Sequence, residues 1–166
     1  MTDHVTSDTA GPVAPQDLLE LERQVCFALA VASRSVVAVY RPLLEPLRLT
    51  HPQYLVMLAL WQHAPLSVTE VSQHLQLEPA TLSPLLKRLE AVGYLRRERV
   101  VGNERTLRLT LTPEGTALRE RALAIPGAVM ARLQISLAEA EHLNTFLTDL
   151  IARARRTDAP GGAAAG

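Results

Sequence analysis

The fold is decided by residues 67–112, which read SVTEVSQHLQLEPATLSPLLKRLEAVGYLRRERVVGNERTLRLTLT. Ser67 and Glu70 have the spacing of a capping box, which marks the start of a helix that we predict over 67–75. A second helix should follow a short turn, because leucines recur at helical spacing between positions 82 and 89. Gly93 is typical of the position just after a helix end. Two helices joined by a tight turn are therefore predicted.

Two short strands are predicted after these helices, over 94–99 and 106–111. Leucines alternate with threonine and arginine in the second strand, which is the period of a half-buried strand. We therefore expect a mainly α protein with a small β-hairpin. Helix, turn, helix and hairpin in this order form a winged helix-turn-helix, whose second helix enters the DNA major groove. The hairpin tip then lies against the backbone or the minor groove.

The region before this stretch is predicted to be helical. Leucine, valine and alanine recur at spacings of three and four over 16–40, which indicates one long helix. Pro42 should perturb or end this helix, because proline lacks a backbone donor. The next helix should begin at Thr50, His51 and Pro52, with Thr50 or His51 as its cap and proline in its first turn.

The region after the hairpin is also predicted to be helical. A helix should run from Thr112-Pro113 to about Ile125, with an interruption at Pro126-Gly127. A capping box at Ser136 should start a last helix that ends near Arg155. A winged helix does not need the first and last helices, so their apolar stripes must be buried elsewhere. We expect a homodimer that reads an inverted repeat with half-sites about one helical turn apart.

Composition limits the possible classes of protein. Apolar residues make up 48% of the 166 residues and aromatic residues only 4%, which favours a leucine-, valine- and alanine-rich helical core. There is no uninterrupted run of about 18 apolar residues, which argues against a membrane span. No signal peptide is evident. The single cysteine, Cys26, cannot form an internal disulfide, which fits a cytoplasmic protein.

Charge is distributed unevenly although the formal net charge is zero. Residues 85–108 hold seven basic side chains against three acidic ones, whereas residues 1–25 hold one basic against five acidic. The stretch predicted to contact DNA is therefore the basic one, as phosphate binding requires. The alternative is a solvated charged hairpin with no such role.

We expect one domain between two tails. Residues 1–15 and 157–166 are rich in small and polar residues and should be disordered. The domain over 16–156 should have dimerisation helices over 16–50 and 113–156 and a DNA-binding part over 51–112.

The sequence resembles the MarR family of regulators, and within it the one-cysteine organic hydroperoxide resistance regulators (OhrR), from about Leu21 to Leu150. The Leu-Lys-Arg-Leu-Glu sequence that ends at Glu90 is general to the family. The block around Cys26, followed by Tyr40 and Pro52-Gln53-Tyr54, is narrower and favours the peroxide-sensing branch. The matching segments are Cys26-Phe27-Ala28-Leu29, Tyr40-Arg41-Pro42-Leu43-Leu44, Pro52-Gln53-Tyr54-Leu55-Val56-Met57-Leu58, Thr81 to Glu90, and Leu111-Thr112-Pro113-Glu114-Gly115.

The resemblance implies a redox-sensing site and no cofactor. In that branch a cysteine is the sensor and two tyrosines donate hydrogen bonds to its sulfur. Cys26 and Tyr40 match the cysteine and one tyrosine, whereas His51 stands where the other tyrosine is expected. A histidine can also donate to a thiolate and, if protonated, would favour the thiolate further.

The resemblance also implies the DNA contacts. The wing tip has Asn103-Glu104-Arg105 where the branch has Asp-Glu-Arg, and the recognition helix begins with a different sequence, so the preferred operator could differ. The expected DNA-contacting residues are Glu78, Pro79, Thr81, Ser83, Pro84, Lys87, Arg88, Arg97, Asn103 and Arg105.

Cys26 and Tyr40 lie fourteen residues apart. On one helix this is about 21 Å, so a hydrogen bond between them would need Tyr40 of a partner chain. The resemblance implies a transcriptional repressor that releases its operator when an organic hydroperoxide oxidises the Cys26 thiolate to a sulfenic acid. With no second cysteine, an external small thiol or a backbone nitrogen would complete the reaction, or over-oxidation would follow.

Other interpretations remain open. Cys26 could be an inert apolar residue, and a small aromatic or phenolic ligand could then release the repressor. A thiol peroxidase is disfavoured because Arg23 stands where a peroxiredoxin has threonine, so we expect no enzyme. A winged-helix interaction module without DNA affinity is a further alternative.

Overall fold

The computed structural model describes residues 19–100 and 103–158, except for the side chains of residues 100, 103–106 and 158. The predicted tails lie outside this part, apart from residues 157 and 158, which belong to the last helix. The chain divides into two compact units, residues 1–38 and residues 39–166.

The described residues form helices and short strands in the predicted order. In chain order they are α1 (Val25–Leu44), α2 (His51–His63), β1 (Leu66–Ser67), α3 (Val68–Leu75), α4 (Pro79–Ala91), β2 (Leu95–Val100), β3 (Asn103–Leu111), α5 (Pro113–Ala122), α6 (Ile125–Leu133) and α7 (Leu137–Asp158).

The bounds of α1 differ from the prediction at both ends. Residues Leu21–Arg23 form a 3₁₀ turn and Gln24 is extended, so the helix begins at Val25 rather than near residue 16. Pro42 lies inside α1, and the predicted end at Tyr40 is wrong. Proline already has a helical φ and removes only its own N–H, so the last turn continues to Leu44.

The sheet has three antiparallel strands in the order β1-β3-β2. β3 begins three residues earlier than predicted, and Val100 pairs with Asn103. β1 was not predicted, because two residues are too few to show a period. Ser67 both pairs with Arg108 in this sheet and caps α3, where its backbone N–H donates to the Glu70 carboxylate (2.6 Å).

Two long-range hydrogen bonds join the helix-turn-helix to the segments around it. The indole Nε1 of Trp61 donates to the carbonyl oxygen of Gly115 (2.8 Å), and the hydroxyl of Tyr94 donates to the carbonyl oxygen of Leu47 (3.0 Å). Gly115 lies so close to Tyr94 that a Cβ there would be 1.9 Å from the Tyr94 carbonyl oxygen. The core of this unit includes the fully buried side chains of Leu44, Met57, Leu60, Leu82, Leu86, Leu89, Leu95 and Leu109.

Large apolar side chains are exposed near both ends of the described chain. In the first unit Leu21 and Val25 are exposed, and on α7 of the second unit Leu143 and Phe146 are exposed, Phe146 by 65%. The segment Val25–Leu47 is long and apolar enough to cross a membrane, with a mean hydropathy of 1.4. The absence of an uninterrupted apolar run therefore did not exclude such a segment. Length and composition alone are weak evidence of a span, because a helix that packs on another protein meets the same criterion.

Candidate nucleic-acid interface and redox site

The recognition helix α4 has one buried and one exposed face. Leu82, Leu86 and Leu89 are buried in the core, as the leucine stripe predicted. The helix starts at Pro79, and the residue before it, Glu78, is extended and makes no side-chain cap. The predicted contact residues of α4 and its start are all exposed, namely Glu78, Pro79, Thr81, Ser83, Pro84, Lys87 and Arg88.

The turn before α4 and the end of α4 are fixed by backbone geometry. Gln76 ends α3 with φ 55°, and the hydroxyl of Ser72 donates to the Leu77 carbonyl oxygen. At the other end Gly93 has φ 84°, and the N–H of Tyr94 bonds the Leu89 carbonyl at 3.0 Å. A residue with positive φ, followed by a residue whose N–H makes such a bond, ends a helix in a way that favours glycine, as predicted from the sequence.

The wing supplies further basic side chains, and three of them are in ion pairs. Arg96 and Glu98 form one within β2, with 2.6 Å between Nε and Oε1. Arg97, a predicted DNA contact, is half-buried, and its Nε lies 3.3 Å from Oε2 of Glu90. Arg108 is 2.6 Å from Glu70. The side chains of Asn103 and Arg105, predicted at the wing tip, lie outside the described part of the structure.

Two of the three predicted redox residues lie together. The rings of Tyr40 and His51 meet edge to face, with centroids 4.9 Å apart, and Tyr54 lies 6.0 Å from Tyr40. Thr50, not His51, caps α2, and its N–H donates to Oε1 of Gln53 (2.8 Å). His51 is therefore left with an aromatic rather than a capping contact.

Burial changes the acid–base properties of this aromatic cluster. It lowers the pKa of His51 and raises the pKa of Tyr40 and of Tyr54, because each charged form loses hydration. The lowered pKa favours a neutral imidazole near pH 7, so the protonated His51 that the sequence left open is the disfavoured form.

Cys26 is exposed and lies on the first turn of α1, in the unit of residues 1–38. Tyr40 and His51 belong to the unit of residues 39–166. An exposed cysteine is open to an oxidant, as a sensor requires. Among the described residues no group of three or more His, Cys, Asp or Glu could hold a metal ion.

Sequence reasoning missed three residues at these sites. Tyr54 was assigned only to a family motif and to the helix that follows Pro52, although it completes the aromatic cluster. Glu70 was assigned only to a capping box, and Glu90 to a family motif. Glu70 pairs with Arg108, which is 38 residues away, and Glu90 pairs with Arg97 across the turn between α4 and β2. Neither pair has a helical or strand spacing that would indicate it.

The fold and the exposed face of α4 define a winged helix-turn-helix protein. Residues 49–107 match the model of the MarR family. The chain is 38% identical to the organic hydroperoxide resistance transcriptional regulator of Bacillus subtilis (strain 168) over 135 residues, which cover 81% of this chain and 92% of that protein. The chain therefore belongs to the MarR family, as its sequence suggested.

Solved structures give the same result. The structure of reduced AbfR bound to DNA is 32% identical to this chain, with a TM-score of 0.73, and the match covers 86% of this chain and 97% of AbfR. The structure of overoxidized AbfR bound to DNA is also 32% identical, with a TM-score of 0.67 and coverage of 83% and 97%. AbfR is thus a relative that has been solved on DNA in a reduced and in an overoxidized state.

Proposed function

We propose that this protein is a dimeric transcriptional repressor in the cytoplasm, which binds an inverted-repeat operator and releases it when an organic hydroperoxide oxidises Cys26. The observation that carries the DNA-binding role is the exposed polar and basic face of α4, with Lys87 and Arg88, behind which three leucines are fully buried. A helix held in this way can enter a major groove without unfolding its own core. Its relatives are named as regulators, and we propose no enzymatic activity.

The dimer accounts for the exposed apolar side chains. Phe146 and Leu143 on α7, and Leu21 and Val25 in the first unit, leave large apolar areas in water. A second copy that covers both areas would remove this cost and would relate two α4 helices by a two-fold axis. The apolar segment Val25–Leu47 is then explained by a protein partner, and no membrane is required.

The redox step starts with the Cys26 thiolate. Its sulfur attacks one peroxide oxygen, the O–O bond breaks, and the other oxygen leaves as an alkoxide that takes a proton and becomes an alcohol. The sulfur is oxidised to a sulfenic acid and the hydroperoxide is reduced. A small thiol can then form a mixed disulfide with Cys26 and release water. A second thiol restores the reduced protein.

Tyr40 and His51 would assist this step from the other subunit. In the dimer we place the partner's Tyr40 and the partner's His51 beside Cys26, because fourteen residues along one helix separate Cys26 from its own Tyr40. The tyrosine hydroxyl and a neutral imidazole N–H can each donate to the thiolate. Oxygen added to the sulfur would disturb these bonds and shift the two α4 helices.

The test is fluorescence anisotropy of the reduced protein on DNA from upstream of its own gene, at a stated salt concentration. Stoichiometric cumene hydroperoxide should abolish binding, and added thiol should restore it. Cys26→Ser should bind equally well and should not respond. Release of the Cys26→Ser protein by peroxide would contradict the thiol mechanism but leave the DNA-binding role intact.

A second candidate is a repressor released by a small aromatic acid. A cavity of about 150 Å³ between α2 and α5 is lined by apolar and aromatic residues, including Tyr54, Leu58 and Trp61, and has Arg119 at its edge. An aromatic ring with a carboxylate matches this lining. Unchanged operator affinity in peroxide, with loss of affinity in an aromatic acid, would favour this candidate over the thiol switch.

A further inference from the structure

The wing is tied to the helix-turn-helix on its β3 side by one carboxylate. Nη1 of Arg108 lies 2.6 Å from Oε2 of Glu70, and the same oxygen accepts the backbone N–H of Ser67 at 2.6 Å. Glu70 lies in the first turn of α3. One carboxylate oxygen therefore caps α3 and holds the guanidinium of a wing strand.

A second carboxylate ties the wing on its β2 side. The Nε atom of Arg97 is buried and lies 3.3 Å from Oε2 of Glu90, near the end of α4, in an ion pair that lacks the geometry of a hydrogen bond. Only 29% of the Arg97 side chain is exposed. This arginine is therefore less available to a DNA phosphate than the exposed basic residues of α4.

The two ion pairs hold different faces of the sheet. Arg97 is opposite Leu109 in the register, and Arg108 is opposite Glu98. Neighbouring residues of a strand point to opposite faces, so Arg97 and Arg108 leave the sheet on opposite sides. Each strand of the hairpin is thus bound to a different helix, one pair on each face. We call Glu70–Arg108 and Glu90–Arg97 the anchor pairs.

The anchor pairs lie at the base of the wing, so a small change of angle there displaces the tip by a larger distance. Arg108 is five residues from the start of β3, which at the rise of a strand is about 17 Å. A rotation of about 10° at the base would move the tip by about 3 Å, which exceeds the tolerance of a hydrogen bond. Fixing the base therefore fixes where the tip meets DNA.

We propose that Glu70 and Glu90 are positioning residues for operator recognition, and that they act by holding the wing at a set angle to α4. This inference rests on the proposed DNA-binding function. It reassigns Arg97 from a DNA contact to an anchor. Removing an acidic side chain near DNA normally strengthens DNA binding, because it removes repulsion from the phosphates. Removing Glu70 or Glu90 should instead weaken binding to the operator.

The experiment compares three charge-neutralising variants of the full chain: Glu70→Gln, Glu90→Gln and, as a matched control, Glu98→Gln. Glu98 lies opposite Arg108 in the register, and its ion pair among the described residues is with Arg96 on its own strand. Affinity is measured by anisotropy on the operator and on unrelated DNA of equal length. We expect Glu70→Gln and Glu90→Gln to weaken operator binding about two- to fivefold. Their binding to unrelated DNA should be unchanged or stronger, and Glu98→Gln should weaken neither.

Double variants test whether each pair acts as a unit. Glu90→Gln combined with Arg97→Gln should weaken operator binding no more than either single change, because one interaction is lost in all three. If Arg97 instead contacts a phosphate, Arg97→Gln will weaken binding to both DNAs and will reduce the slope of log Kd against log salt by about one. Glu90→Gln will have neither effect. That result overturns the proposal, as does equal behaviour of Glu70→Gln, Glu90→Gln and Glu98→Gln.

Hydrogen exchange of the DNA-free protein separates this proposal from the proposed function. Residues 95–111 should exchange faster in Glu70→Gln and Glu90→Gln than in Glu98→Gln, with the exchange of α4 unchanged. Unchanged exchange in the wing would overturn the anchor role. If the native protein prefers no operator, the proposed function fails, and exchange still decides whether the anchor pairs hold the wing. A variant that misfolds would lose binding to both DNAs and protection throughout.

Discussion

Tyr40 and His51 meet edge to face with ring centroids 4.9 Å apart, one near the end of α1 and the other at the start of α2. The contact joins two residues that sequence reasoning had assigned to the same chemical site from one family resemblance. Tyr40 packs against the partly buried ring of His51, and burial lowers the pKa of His51.

The first prediction concerns pH. Burial lowers the pKa of His51 below 6.5, so the unfolded chain binds more protons than the folded one as the pH falls through this range. The contribution of His51 to the free energy of unfolding is therefore complete above about pH 6.5. It is lost as the pH falls from there to the pKa of His51 in the folded state. Thermal unfolding should show a lower Tm at pH 5.5 than at pH 7.5, and His51→Tyr should reduce this difference.

Two carboxylates also have lowered pKa values, but they do not affect the pH range of this experiment. Hydrogen bonds from Ser67 and Ser136 lower the pKa of Glu70 and of Glu139, but stability linked to these groups is lost only below about pH 4.5. A His51→Tyr protein with an unaltered profile between pH 5.5 and 7.5 would disprove the assignment.

The second prediction separates the ring of Tyr40 from its hydroxyl. Tyr40→Phe keeps the contacts with His51 and Tyr54 and should change the free energy of unfolding by less than about 0.5 kcal/mol. Tyr40→Ala removes the ring and should cost about 1–3 kcal/mol. If the hydroxyl donates to Cys26 of a partner, Tyr40→Phe will also need more cumene hydroperoxide for half release. Equal stability of the two variants would mean that the ring contact contributes nothing.

The third prediction concerns the approach of α5 to the end of the recognition helix. A Cβ at Gly115 would lie 1.9 Å from the backbone oxygen of Tyr94, so Gly115→Ala must displace one of the two segments. We expect a loss of more than about 2 kcal/mol in urea unfolding. Gly127 has nothing within 4 Å of its Cβ position and lies in α6, so Gly127→Ala should stabilise by up to about 1 kcal/mol. Similar costs at both glycines would contradict this account.

The fourth prediction concerns the exposed face of α4. Lys87→Ala should weaken binding to operator and unrelated DNA alike, because a phosphate contact is independent of sequence. It should also reduce the slope of log Kd against log salt by about one. Arg132→Ala, an equal charge change on α6, should leave the slope unaltered. A slope that falls equally in both variants would indicate a general charge effect and not a contact.

Local signals explain which parts of the fold were predictable. The capping boxes at Ser67 and Ser136, the leucine stripe of α4 and Gly93 each depend on residues close in sequence, and each prediction is confirmed. Pro42 misled because the loss of one backbone donor does not by itself end a helix, and α1 continues through it to Leu44. β1 has no pattern of its own, since it exists only by pairing with β3, some forty residues later.

The site residues that belong to a sequence motif were predictable, whereas the contacts that arise from packing were not. Tyr40 and His51 were found from a resemblance, and their contact is a consequence of how α1 meets α2. The ion pair of Glu70 depends on the return of the chain along β3, and the ion pair of Glu90 depends on the turn from α4 into β2. Neither contact is encoded by a helical or strand spacing. The placement of Cys26 beside a partner's Tyr40 stays a prediction.

Phe146 and Leu143 are among the apolar side chains that α7 leaves exposed. If a second copy covers them, the Tm depends on the protein concentration, because each dilution shifts the equilibrium towards free chains and lowers the Tm. A regulator is scarce in a cell. The amount of protein synthesised would then determine both the fraction of chains in the dimer and the fraction of operators that are occupied. A modest fall in expression would therefore lower operator occupancy more than in proportion.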